Sequence, residues 1–178
     1  WSAAAAHRLD RRDRLVGGLN SPMFSILIPT WNNLPYLTLA VASIRRHSAQ
    51  AHQIIVHVND GSDGTLGWVR EQGLTHTHSA QNIGICLAVN ESATHAEHDL
   101  IVYLNDDMVV CPGWDTRLLA RIAALPTRRF MVSGTMIEPH ATGNVCAVVA
   151  DFGDSAESFR ETDLLAALPR LARSDWAG

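Results

Sequence analysis

Two adjacent carboxylates, Asp106 and Asp107, follow Asn105 directly after the apolar run Asp99-Leu100-Ile101-Val102-Tyr103-Leu104. A run of that composition reads as a buried strand, and such strands do not ordinarily end in paired acids. Adjacent like charges repel and raise each other's pKa unless a cation or a ring of donors offsets them. The pair points to a divalent cation, Mg²⁺ or Mn²⁺, held by one or two carboxylates, with phosphate oxygens filling other positions. A second polar turn, Asn59-Asp60-Gly61-Ser62, follows Ile54-Ile55-Val56-His57-Val58. Asp60 offers acceptors to a base N–H or to ribose hydroxyls, although Asp-Gly is also ordinary turn chemistry.

Elements that position these groups follow from hydrophobic spacing. Phe24 to Ile28 reads as a first buried strand closed by Pro29, which cannot donate to a ladder. A helix is expected from about Pro35 to His47, with Leu37, Ala40, Val41 and Ile44 on one side. Ile54 to Val58 is the second strand, a short helix opens near Asp63-Gly64-Thr65 and stops at Gly73, and Leu74 to His78 is a weak third strand. Ile83 to Ala96 reads as a helix with Ile83, Leu87 and Asn90 along one side, and Leu100 to Leu104 as the most apolar strand. A helix over Pro112 to Leu125 follows. Strands over Phe130 to Ile137 and Val145 to Val149 are expected to be joined by a turn at Gly143-Asn144. Glu161 to Leu171 reads as a final helix broken by Pro169. Alternating strands and helices predict a three-layer α/β sandwich with a mostly parallel sheet.

In such sheets, ligands bind outside the carboxyl ends of the strands. Three loops leave those ends: Pro29-Thr30-Trp31-Asn32-Asn33, Asn59 to Asp63, and Asn105-Asp106-Asp107. The first carries neither GxGxxG nor GxxxxGK[ST], which removes a glycine-cradled dinucleotide and the ATP-hydrolysing P-loop class. Trp31 either packs in the core or offers a flat face to a nucleobase. Asn82-Ile83-Gly84 either caps the helix behind it or presents backbone N–H groups to a phosphate. His76 and His78 lie two apart on a strand and face the same way, without a neighbouring carboxylate to complete a site. No nucleophile elbow appears, and no cysteine sits in a nucleophile context.

The chain has 178 residues, enough for one domain with a real core. Its net charge of -4 argues against a nucleic-acid surface, and its short arginine clusters read as solvated helix faces. Cys86, Cys111 and Cys146 are odd in number without CxxC spacing, which favours reduced thiols and a cytoplasmic location over disulfides or zinc. No segment has the length of a membrane span and no signal peptide is visible. Residues 1–22 are expected to be an upstream extension, poorly structured or helical, ahead of a domain over 23–178.

Phe24-Ser-Ile-Leu-Ile-Pro-Thr-Trp-Asn-Asn33, Val58-Asn-Asp-Gly-Ser-Asp-Gly-Thr65, Asn82-Ile-Gly84 and Tyr103-Leu-Asn-Asp-Asp-Met108 together resemble the family 2 glycosyltransferases of the GT-A fold, over roughly residues 23 to 125. The resemblance implies a nucleotide pocket lined by Pro29, Thr30, Trp31, Asn32, Asp60, Gly61, Ser62, Asn82, Gly84, Asn105 and Asp106. Trp31 stands in place of the usual Tyr against the base. Asn105-Asp106-Asp107 looks like the DxD motif, with Asn in its first position; Asp107 would bind the metal and Asp106 would lie beside the ribose and diphosphate. The activity implied is metal-dependent, inverting transfer of a sugar from a nucleotide-diphosphate donor to an acceptor hydroxyl. The acceptor, whether glycan, lipid-linked or protein, is not specified by these motifs, and peripheral contact with the inner face of a membrane is compatible with them. Asp151, Asp154, Asp163 and Asp175 lack the context of the family's carboxylate base, so the base is expected beyond Gly178, in a longer protein of which this chain is a fragment. A non-catalytic nucleotide-sugar-binding domain is the alternative. A nucleotidyltransferase would carry a glycine- and lysine-rich loop where Pro29-Thr30-Trp31-Asn32 stands.

Overall fold

The computed structural model describes residues 5–8, 23–144 and 147–171. Its elements fall into two compact units, up to Ser133 and from Gly134 onward. In the first unit the elements run β1 (Ala5–Arg8), β2 (Phe24–Trp31), α1 (Leu34–His47), β3 (Gln53–Asn59), α2 (Thr65–Glu71), β4 (Thr75–Ser79), α3 (Ile85–Ala93), β5 (Leu100–Tyr103), α4 (Trp114–Ala123) and β6 (Val132–Ser133). The sheet order is β4-β3-β2-β5-β1-β6. The four strands from β4 to β5 are parallel, and β1 runs antiparallel beside β5 with Ala5 opposite Tyr103. The sequence shows no strand pattern at Ala5–Arg8; its place comes from pairing with β5 and β6.

Parallel central strands bury both faces, which is why β2 and β3 are apolar almost throughout. Phe24, Ile26 and Ile28 of β2 join Ile54, Val56 and Val58 of β3 in one cluster with Leu37, Val41 and Ile44 of α1 and Val69 of α2; Leu118 and Ile122 of α4 pack against it. The alternate residues Leu27 and Ile55 face the other way with Ile101 and Ala96, where Val89 and Ala93 of α3 pack. Helices thus cover both faces, and the chain has the expected three-layer α/β sandwich.

Several local expectations are corrected. Pro29 does not close the first strand, which continues to Trp31 in register with β3. Pairing with β5 ends at Leu27, so the missing N–H of Pro29 costs no ladder bond on that side. Helix α3 turns Ala88 and Ser92 inward, while Leu87 stands 57% exposed. Small residues let this helix approach the sheet closely, a signal that a search for large apolar residues misses. The segment over Phe130 to Ile137 is not one strand: β6 ends at Ser133.

The second unit holds β7 (Met136–Glu138), β8 (Ala147–Val149) and α5 (Glu161–Leu171). β7 and β8 pair parallel, not as arms of a hairpin at Gly143-Asn144. Helix α5 continues through Pro169 to Leu171 instead of breaking there. Val145 and Cys146 of the expected strand, the remainder of residues 1–22 and Asp175 lie outside the described residues. Among the described residues, no helix is long and apolar enough to cross a membrane.

Candidate functional site

The carboxyl ends of β2, β3 and β5 bring the three predicted loops together within the first unit. Thr30, 2% exposed at the end of β2, donates its hydroxyl proton to Asp106 Oδ2 at 2.6 Å. The acid pair therefore sits against the β2 loop. Burial pushes the Asp106 carboxyl up, opposed by hydrogen bonds from Thr30 and Asn33 and reinforced by the neighbouring charge of Asp107. Asp107 is exposed beside it. The Tyr103 hydroxyl donates to Asn105 Oδ1, which fixes the first residue of the acidic turn. Burial also pushes the Tyr103 phenol up, with Asp107 and Asp106 adding to it.

On the other side of β2, the Asn32 side chain binds the second acidic turn three times. Its amide donates to Asp60 Oδ2 at 2.9 Å and to Ser62 Oγ at 3.3 Å, and its carbonyl accepts the Gly61 N–H at 2.9 Å. Hydrogen bonds from Asn32 and then Ser62 hold the half-buried Asp60 carboxyl below its ordinary range, which favours the anion. Gly61 has φ +81°, and a Cβ there would lie 2.8 Å from Val58 Cγ1 and 2.9 Å from Leu66 Cβ, so only glycine fits. Asp63 accepts from Thr65 N–H at the start of α2 and from Leu34 N–H at the start of α1. The turn is thus tied to both helices that flank it.

Trp31 stands opposite Asn59 in the β2–β3 register, yet its side chain is 58% exposed. It does not pack into the core; β2 ends at this residue, between β3 and β5, whose ends carry the two acidic turns. Pro29 is buried within β2, and Asn82 and Gly84 are exposed at the turn before α3. Gly84 N–H donates to Asn82 Oδ1 at 2.8 Å and Ile83 N–H to Asn59 Oδ1 at 2.9 Å. Those two amides are occupied inside the protein, whereas the N-cap of α3 makes no side-chain cap hydrogen bond.

His76 and His78 form no joint site. His76 Nδ1 meets the Leu74 carbonyl and His78 Nε2 the Asp60 carbonyl at 2.9 Å, which makes His78 a brace of the acidic turn. Asn33 and Asn59 stand in the predicted loops, but loop composition does not reveal their partners, Asp106 for Asn33 and the Ile83 N–H for Asn59. The signal for Asn59 is its place at the end of an apolar strand, where a buried amide must find partners.

The donor set fits a divalent cation that arrives with a diphosphate. Among the described residues no cluster of three or more His, Cys, Asp or Glu could hold a metal by itself. Asp106 and Asp107 are the residues that would hold Mg²⁺ or Mn²⁺, which takes one or two protein carboxylates when phosphates complete its shell.

The family model described as glycosyl transferase family 2 matches residues 25–158. The chain belongs to glycosyl transferase family 2. Its similarity to the Escherichia coli (strain K12) protein WcaA, named as a glycosyl transferase of colanic acid biosynthesis, is 25% identity over 127 residues, covering 66% of this chain and 44% of WcaA. The family 2 fold is shared with solved structures. TarS 1-349 of S. aureus superposes with a TM-score of 0.52 at 20% identity, covering 57% of this chain and 32% of that one. The mannosyltransferase PcManGT of Pyrobaculum calidifontis, solved with GDP-Man and Mn2+, gives 0.53 at 24% identity, covering 61% and 34%. These likenesses identify the fold as GT-A, and the matched part of this chain spans less than half of WcaA.

Proposed function

We propose that the protein is the donor-binding part of a glycosyltransferase that transfers a sugar from a nucleotide diphosphate to an acceptor hydroxyl, with inversion and with a divalent metal. The observation that carries this reading is the single rim on which Trp31, Asp60 and the Asp106-Asp107 pair meet, joined by the Thr30–Asp106 and Asn32–Asp60 hydrogen bonds. A nucleotide diphosphate has three parts to satisfy, and the rim offers a group for each. The exposed indole of Trp31 stacks on the base. Asp60, held ionised, accepts from a base N–H or a ribose hydroxyl. Asp106 lies beside the ribose and diphosphate, and Asp107 faces outward to hold the cation. A cation bound there offsets the charge that grows on the departing diphosphate. PcManGT, solved with GDP-Man and Mn2+, is a fold neighbour in keeping with this use of the rim.

None of the described acids of the second unit is assigned as the acceptor base. Asp151 accepts the Gly153 N–H and pairs with Arg160, Asp163 also pairs with Arg160, and Asp154 accepts from Ser158. The proposal concerns the donor half of the reaction. Calorimetric titration with UDP, GDP and TDP, with and without Mn²⁺, tests it: binding is expected to need metal and to fall sharply in Asp107→Ala. Metal-independent binding that is unchanged by Asp107→Ala would overturn the assignment.

A further inference from the structure

Asn59 is the last residue of β3 and only 3% exposed. An amide buried there needs partners for both its nitrogen and its oxygen, and it finds them on three different elements. Asn59 Nδ2 donates to the Thr30 carbonyl at 3.2 Å, and its Oδ1 accepts the Ile83 N–H at 2.9 Å and faces Ser79 Oγ at 3.1 Å. The Ser79 hydroxyl has one proton and a nearer acceptor in the Gln81 carbonyl at 2.7 Å. The Ile83 N–H is therefore the donor that Asn59 Oδ1 holds securely.

These contacts place Asn59 between two halves of the rim. Thr30, held through its carbonyl, carries the hydroxyl that binds Asp106. Ile83, held through its N–H, sits in the turn that Asn82 closes onto Gly84 and that opens α3. The Ser79 side is backed by the buried His57, whose Nε2 lies 3.1 Å from Ser79 Oγ. One side chain that makes no approach to the solvent-facing rim thus ties the β2 end, the β4 end and the turn before α3.

We propose that Asn59 is a positioning residue of the donor pocket, setting the Asn82–Gly84 turn at a fixed distance from Thr30 and the acid pair; this inference rests on the donor reading above. An apolar residue at 59 leaves the Ile83 N–H and the Thr30 carbonyl without their partner and releases the turn. Aspartate keeps the acceptor for Ile83 and Ser79 but sets a second oxygen, in place of the donor, against the Thr30 carbonyl, so it preserves the tether on the α3 side alone.

The test compares wild type, Asn59→Ala and Asn59→Asp in Mn²⁺-dependent binding of UDP and GDP, with amide hydrogen exchange at Ile83 in the nucleotide-free protein. Asn59→Ala is expected to weaken nucleotide binding about tenfold or more and to speed Ile83 exchange, while Asn59→Asp stays within about threefold of wild type. A merely structural role would lower the melting temperature of Asn59→Ala and leave both readouts of the folded protein unchanged, which would overturn the inference. Should Asn59→Ala fail to fold, Ile83→Pro removes the donor in the turn instead of the acceptor in the sheet. It is expected to weaken binding similarly, and wild-type affinity in Ile83→Pro would overturn the tether. A wild-type chain that binds neither nucleotide with Mn²⁺ overturns the donor reading and this inference with it. Wild-type binding unaltered by Asn59→Ala overturns the inference alone.

Discussion

Asn32 and Asp60 are hydrogen-bonded at 2.9 Å, and both hold left-handed backbone conformations, with φ 46° and φ 61°. Among the described residues they are the two non-glycine positions with positive φ. Such conformations cost roughly 1–3 kcal/mol each and persist where the surroundings over-determine them. Here each is the other's support: Asn32 bridges to Asp60, Gly61 and Ser62, and the Asp60 carboxylate accepts the Ser62 N–H at 3.2 Å. The acidic turn is shaped before any ligand arrives, which lowers the ordering cost of binding.

Two substitutions at Asn32 separate strain from clasp. Asn32→Gly accepts the left-handed backbone freely but loses the side-chain bonds, whereas Asn32→Ala loses the bonds and keeps the strain. Asn32→Gly is expected to be more stable than Asn32→Ala by about 1 kcal/mol in urea denaturation, since alanine pays the left-handed penalty. Both should weaken nucleotide binding, because Asp60 and Ser62 lose their anchor. Binding at wild-type strength in both variants would show that the clasp does not shape the pocket.

The parallel strands were legible because burial on both faces writes them as continuous apolar runs, as in Ile54 to Val58 and Leu100 to Leu104. The gathering of the loops followed from that topology, since parallel strands deliver all their carboxyl ends to one edge. Side-chain roles within the rim were less legible. Asn59 acts on Ile83, 24 positions along the chain, and that proximity exists only once β3 and the α3 turn are in place. The inward face of α3 was hidden because Ala88 and Ser92 contribute little hydrophobic signal, while the large residues Ile85 and Leu87 face outward. The Gly143-Asn144 turn signal suggested a hairpin, but backbone pairing of Met136 with Ala147 in parallel register prevailed.

Trp31 separates a packing role from a binding role. At 58% exposure its removal deletes little buried surface, so Trp31→Ala should shift the unfolding free energy by no more than about 0.5 kcal/mol. Aromatic stacking on a base is worth about 1–3 kcal/mol, so the same variant should lose roughly 5- to 150-fold in affinity for UDP or GDP. Trp31→Tyr should recover most of that loss. Equal affinity in wild type and Trp31→Ala would remove the indole from the base platform.

At the opposite, amino-terminal edge of the sheet, His52 and Asp115 form a buried pair that sets how stability depends on pH. His52 Nδ1 accepts the Phe24 N–H at 3.2 Å, so that nitrogen carries no proton, and Nε2–H donates to Asp115 Oδ2 at 3.1 Å. The folded ring is neutral, and burial lowers its pKa against the opposing pull of Asp115. Because the folded pKa lies below the unfolded value of about 6.5, the unfolded chain takes up the proton first as pH falls. The stabilisation is complete above about pH 6.5 and declines as pH drops from there towards the folded pKa, with a limiting slope of about 1.4 kcal/mol per pH unit for one proton. The buried His57, also lowered chiefly by burial, adds a loss of the same sign. Asp115 acts in a lower window: burial would raise it, but donors from Thr116, Ala49, His52 and Gln50 together hold it below the ordinary range. Its contribution is present above about pH 3.9 and is lost only as pH falls from there through the folded value. Urea unfolding midpoints measured from pH 7.5 to 5.0 should therefore fall in the wild type. His52→Gln, which has no imidazole to protonate, should show a shallower fall with the His57 part remaining. An identical pH slope in wild type and His52→Gln would show that the Phe24–His52–Asp115 arrangement does not control acid sensitivity.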